Sequence, residues 1–184
     1  GVVHGIDFHP ENINGNWHKF VQRGTNFSNN VFIHQGNARI TKNNYTHSIF
    51  PKLPLQQFDL IVDDADHDAF AQINRFEILF NEHLLPGGYY IVQDLWAMEA
   101  IDYFMNVSKH VTLTNLRFKT EQKDLYTKFP LSSGPLVRQY RYESEDWKDR
   151  IAWVLFYPDL VVVRKFWRFD HLPPQQLTRS AVVV

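Results

Sequence analysis

Short apolar runs alternate with longer amphipathic or polar stretches through the first half of this chain. Val2-Val3-His4-Gly5-Ile6 ends at Asp7, and Val31-Phe32-Ile33-His34-Gln35 is stopped by Gly36-Asn37. Phe58-Asp59-Leu60-Ile61-Val62 runs into Asp63-Asp64-Ala65-Asp66-His67, and Tyr89-Tyr90-Ile91-Val92 runs into Gln93-Asp94. Apolar runs of this length, bounded by turn residues, predict buried strands. Between the last two, Phe70, Ile73, Phe76, Phe80 and Leu84 recur at steps of three and four and predict a helix with one apolar face, ended by Pro86-Gly87-Gly88. Further helices are expected around Trp17 to Val21 and from Ala100 to Val107, and a further strand from Val111 to Phe118.

Strands separated by helix-sized segments predict an α/β domain, with a mostly parallel, Rossmann-like sheet carrying helices on both faces. Downstream, residues 120–148 read as polar and irregular. The runs Ile151 to Phe156 and Leu160 to Val163, around Tyr157-Pro158-Asp159, predict an antiparallel hairpin. Arg164-Lys165 and Arg168 read as a strand end with outward-facing bases. The expected organisation is one domain over residues 1–170 and an extended tail over 171–184, with Pro173-Pro174 near its start.

Composition narrows the classes. A chain of 184 residues can bury a sizeable core, and 44% hydrophobic with 15% aromatic residues exclude a disordered segment. The formal net charge of −1 gives no field that would draw nucleic acid or an anionic membrane, so neither is an expected partner. With no cysteine, disulfides, thiolate metal ligands and a cysteine nucleophile are all excluded. No signal-peptide pattern is visible, and no apolar run approaches the ~18 residues that span a bilayer. A soluble, cytoplasmic protein is the expectation.

Ligands of open parallel sheets sit at the carboxyl ends of the strands. The residues just past each strand are therefore the candidates, and three of the four strand ends are acidic. Asp7 stands where a carboxylate accepts hydrogen bonds from the ribose hydroxyls of a bound nucleoside. Asp63, Asp64 and Asp66 crowd three carboxylates into four positions, which is costly without a cation. Hard oxygens without thiolate suit Mg²⁺ or another hard divalent ion, which Asp94, one βα unit further on, could share with Asp64. One aspartate is also expected to cap the helix that follows, Asp66 being the candidate. His67, beside the cluster, could take a proton from a substrate hydroxyl.

These residues together resemble a known family. The stretch from Phe58 to His67, the amphipathic helix, and then Leu84-Leu85-Pro86-Gly87-Gly88-Tyr89-Tyr90-Ile91-Val92-Gln93-Asp94-Leu95 resemble the S-adenosylmethionine-dependent sugar O-methyltransferases of the macrocin and mycinamicin type, and the cephalosporin-hydroxylase-like proteins. The run from Phe156 to Lys165 is similar to that family's closing strands. The resemblance implies a class I methyltransferase fold, S-adenosylmethionine as cofactor, and Mg²⁺ on Asp64, Gln93 and Asp94. It implies His67 as general base, Asp7 and Asp63 with the turn Gly36-Asn37-Ala38 at the cofactor, and a small-molecule hydroxyl acceptor such as a sugar. A homo-oligomer stays open.

Two departures stand against the family pattern. Gln93 occupies a position where the family has a glutamate, and the family's first strand with its glycine-rich turn is missing ahead of Gly1. Because Val2 to Ile6 already reads as a strand, a truncated chain is one explanation. A non-catalytic methyltransferase-like binding or scaffold domain is the other. A nicotinamide-dependent Rossmann enzyme is a third reading, for which the acidic cluster would have no role.

Overall fold

The computed structural model describes residues 2–8, 31–53, 57–128, 146–166 and 180–184. Seven strands form one sheet: β1 (Val2–Asp7), β2 (Val31–Gln35), β3 (Phe58–Asp63), β4 (Leu84–Val92), β5 (Ile151–Phe156), β6 (Val161–Lys165) and β7 (Ser180–Val183). Their spatial order is β2-β1-β7-β3-β4-β6-β5. The first five in that order run parallel, and β6 is antiparallel to both β4 and β5. The four apolar runs and the hairpin are therefore all strands, as their patterns predict.

The place of β7 differs from the sequence reading. Residues 171–184 were expected to leave the domain as a tail; instead Ser180–Val183 lies in the middle of the sheet, paired with β1 on one side and β3 on the other. Its entry is fixed where Ser180 donates its amide to Asp59 Oδ2 (2.8 Å) and its hydroxyl to the Gln57 carbonyl (3.1 Å). Past its end, the Val184 amide donates to Val62 O and the Asp64 amide to Val184 O. Both neighbouring strands carry backbone donors and acceptors that need partners in this dry position, and β7 supplies them. Counted as the first strand, β7 gives the arrangement of a doubly wound nucleotide-binding sheet. The strand position expected to be empty is filled from the other end of the chain.

Two helices cover one face. Helix α1 (Ala69–Glu82) and helix α2 (Met98–Lys128) pack against one another, with Phe76 and Phe104 ring centroids 5.0 Å apart and the Tyr103 hydroxyl donating to Glu77 Oε1 at 2.9 Å. They therefore share a face of the sheet. Whether the opposite face carries the expected helices is a matter for residues 9–30, which include the helix expected near Trp17 and lie outside the described residues. Residues 129–145 and 167–179, Arg168 among them, lie outside as well.

Helix α2 absorbs the strand expected over Val111 to Phe118. Ala100, Phe104, Val107 and Val111 are all buried at helical spacing, and no turn residue interrupts that stripe. Helix α1 stops earlier than expected, at Glu82, so that Leu84 already belongs to β4 and Pro86 lies on the strand. The strand is irregular there: its pairing with β3 shifts register between Phe58 and Leu60, and Gly87 adopts a φ of 81°. A side chain at Gly88 would meet the Asp59 carbonyl at 2.8 Å, so glycine permits this close approach. Phe70, expected on the apolar face, is 70% exposed; the buried stripe is Arg75, Phe76, Leu79 and Phe80.

Lys165 is not an outward-facing base. It is buried, and its ammonium donates to the carbonyls of Phe80 (2.6 Å), Asn81 (3.3 Å) and Leu84 (2.7 Å). It thus satisfies carbonyls that the end of α1 leaves open. Burial, with the nearby Arg150 charge, pushes its pKa down to about 8.

Candidate functional site

The carboxyl edge of the parallel strands encloses a cavity of about 690 Å³ beside β7. It opens between β1 and β3, at the carboxyl ends of the strands, where ligands of such sheets bind. Asp7 and Phe8 line it from the end of β1, Asn37 and Ala38 from the turn after β2, Asp64 from the end of β3 and Val183 from β7. Three strand ends predicted to carry ligand contacts thus converge on one cavity. The Gly36 amide donates to the Asp7 carbonyl at 3.0 Å, tying the two turns together. Gly36 itself is not among the lining residues. A side chain there would strike Ile49 at 2.7 Å, so Gly36 serves the site through packing.

The acidic cluster after β3 divides into two parts. Asp63, expected at the cofactor, turns inward: its carboxylate and the Arg75 guanidinium both have side chains that are 0% exposed. Arg75 Nε donates to both Asp63 oxygens at 2.9 and 2.8 Å, and the Tyr90 hydroxyl adds a third bond at 3.2 Å. Burial pushes Asp63 upward in pKa, against the Arg75 charge that favours its ionised form. No surface of this carboxylate remains for a ligand. The same guanidinium donates to Asp66 Oδ1 (2.7 Å) and to the Asp66 carbonyl (2.9 Å), and Arg39 pairs with the other Asp66 oxygen. Burial opposes ionisation of Asp66, yet the hydrogen bonds and charges of Arg39 and Arg75 hold it below the usual carboxylate range. For Asp63 and Asp66, two of the three crowded carboxylates, positive charge is therefore supplied by an arginine pair. The helix cap also moves: Asp68 rather than Asp66 accepts from the Ala71 amide, at 2.9 Å.

Asp64, His67 and Asp94 remain. Asp64 is exposed and faces the cavity. His67 Nε2 lies 3.6 Å from Asp94 Oδ2, and its ring centroid is 5.2 Å from that of Trp96. Neither His67, Gln93 nor Asp94 lines the cavity, so the expected constellation separates into Asp64 at its wall and a His67–Asp94 pair next to it. Among the described residues, no three histidine, cysteine or acidic side chains gather closely enough to hold a metal ion. Two carboxylates and one amide are a donor set that Mg²⁺ accepts when waters complete its shell, but of Asp64, Gln93 and Asp94 only Asp64 lines the cavity.

Sequence reasoning missed Arg39, Arg75 and Trp96. Arg75 carried a signal, being a charge in the middle of a buried helical stripe. Arg39 and Trp96 carried none, since each sits in an irregular turn.

No family model and no curated protein matches the chain. Among solved structures it is similar to the MycE methyltransferase from the mycinamycin biosynthetic pathway in complex with Mg and SAH, crystal form 1, with a TM-score of 0.52 at 18% identity over 96% of this chain and 48% of that one. The complex of that enzyme with Mg, SAH and mycinamycin VI gives a TM-score of 0.49 at 18% identity, over 96% and 47%. The chain spans about half the length of the structures it matches. Its fold is that of a class I methyltransferase.

Proposed function

We propose that this chain is the core of an S-adenosylmethionine-dependent O-methyltransferase whose acceptor is a hydroxyl of a sugar or glycosylated small molecule. The observation that carries the reading is the cavity at the carboxyl edge, with Asp7, Asn37, Ala38 and Asp64 on its wall. Its volume suits a nucleoside-sized cofactor. The residues fit that cofactor at its nucleoside end: a carboxylate ends β1 for the ribose hydroxyls, and Phe8, Val31 and Ile33 supply apolar wall for the base. When bound, the cofactor supplies an electrophilic methyl on a sulfonium centre. Asp7 orients the ribose, Asn37 and Ala38 border the base, and Asp64 favours the cationic end by its charge. His67 takes the proton of the acceptor hydroxyl. Holding donor and acceptor together in line supplies most of the rate. The bound ligands of the similar structure, Mg and SAH, agree with the cofactor half of this reading.

The Mg of the similar structure speaks for the metal half; Asp64, Gln93 and Asp94 would hold the ion, which would orient and acidify the acceptor hydroxyl. The test of the reading is calorimetry with S-adenosylhomocysteine. One saturable site is expected, and Asp7→Ala is expected to weaken it by about 10- to 100-fold, the scale of a charge-assisted hydrogen bond of about 1.5–3 kcal/mol. A non-catalytic scaffold domain predicts no binding heat at all, and that outcome would remove the proposal.

A further inference from the structure

Five residues form a continuous chain of hydrogen bonds from the core to the wall of the cavity. The Tyr90 hydroxyl of β4 donates to Asp63 of β3, Arg75 of α1 joins Asp63 to Asp66, and Arg39 closes the series on the other Asp66 oxygen. Side-chain exposure rises along it, from 0% at Asp63 and Arg75 to 32% at Asp66 and 62% at Arg39. The dry end is thus fixed, and the wet end can adapt to a ligand. Asp66 follows β3 whereas Arg39 follows β2, and β1 and β7 lie between those strands. Three strand spacings are about 14 Å, so the last pair ties together two distant turns of the carboxyl edge. Both of its residues line the cavity. An exposed pair adds little to stability, so the fold alone gives no reason for this bridge.

The Arg39 guanidinium is only half used. Its Nε donates to Asp66, and among the described residues nothing accepts from either Nη. The backbone beneath it is set: the Arg39 amide donates to Asn37 Oδ1 at 2.8 Å, and Asn44 Nδ2 donates to the Arg39 carbonyl at 3.3 Å. Arg39 therefore presents a flat cation with unused donors immediately beyond Asn37 and Ala38, on the wall of the same cavity. We infer that Arg39 is a cofactor-binding residue: steered by Asp66, its guanidinium lies against the base of bound S-adenosylmethionine. The inference rests on the O-methyltransferase reading. A delocalised, weakly hydrated guanidinium stacks on aromatic faces and keeps its in-plane donors while doing so. Asp66 holds that plane in place, so less side-chain freedom is lost when the base arrives. Asp66 is a positioning residue: it acts through Arg39, and the buried Asp63–Arg75 pair in turn fixes Asp66.

Calorimetric titration of the full chain with S-adenosylhomocysteine decides this. Arg39→Gln is expected to weaken binding by about three- to tenfold, the scale of a cation resting on a ring, with the melting temperature unchanged. Arg39→Lys keeps the charge that Asp66 attracts but has no planar face, and it is expected to stay weakened by about twofold or more. Full recovery in Arg39→Lys overturns the inference, because the residue would then act only through its ion pair between the two turns. Native affinity in Arg39→Gln overturns it too, and leaves cofactor binding standing. Asp7→Ala, which acts at the ribose and not at the base, shows in the same titration that the ligand sits in this cavity. Absence of binding to the native chain is the separate failure of the functional reading, and it takes the inference with it.

Discussion

Replacing Arg75 by methionine is expected to destabilise the fold by about 3–5 kcal/mol, the loss seen when one partner of a buried ion pair is removed. Methionine fills much of the same volume, so the effect isolates charge rather than packing. The variant leaves Asp63 ionisable at a fully buried position with no cation beside it, only the neutral Tyr90 hydroxyl and Ala65 amide, and frees Asp66 from one of its two arginines. Urea denaturation checks the size. The account makes a second, sharper demand: adding Asp63→Leu to Arg75→Met removes the stranded carboxylate and returns most of the lost stability, since a buried pair is no better than apolar residues of similar volume. A loss below about 1 kcal/mol in Arg75→Met would contradict the description of this network as dry.

The second large effect concerns β7. Val182 is fully buried between His4 of β1 and Ile61 of β3, its register partners, whereas Val183 is partly exposed and lines the cavity. A carboxylate at position 182 has no cation and no water, and Val182→Asp is expected to abolish cooperative unfolding. Val183→Asp is expected to fold, because the next residue along a strand faces the opposite side. Circular dichroism melts of the two variants distinguish them. A chain whose last residues were an extended exit, as the sequence suggests, would tolerate both. A chain shifted by one residue would reverse them.

This last point marks where the sequence was legible and where it was not. The four apolar runs and the hairpin declare themselves by local pattern, and so does helix α1 through its three-and-four spacing. These elements alone settle the α/β class and bring Asp7, Asn37, Ala38 and Asp64 to one edge. Ser180–Val183 carries too little pattern of its own: what makes it a strand is the pair of unsatisfied edges on β1 and β3, a tertiary fact. The same holds for the middle of α2, where β-branched Val111 and Thr112 argue locally for strand while burial of the Ala100–Val111 stripe decides for helix. At the site, counting carboxylates signalled a need for positive charge but did not show that arginines meet it at Asp63 and Asp66. Asp63 and Arg75 stand 12 residues apart, across a loop, a cap and about two turns of helix, and only the packing of α1 against β3 makes them a pair. Asp94 shows the converse. Its strand-end position was readable, but its left-handed backbone and its aim at His67 were not.

The central claim is that the cavity beside β7 receives a nucleoside at the end of β1. A crystal structure of the chain grown with S-adenosylhomocysteine tests it most directly. The account predicts the ribose hydroxyls on the Asp7 carboxylate and the base against Asn37 and Ala38. Ligand seated elsewhere, or a cavity that stays free of it at saturating concentration, would contradict it.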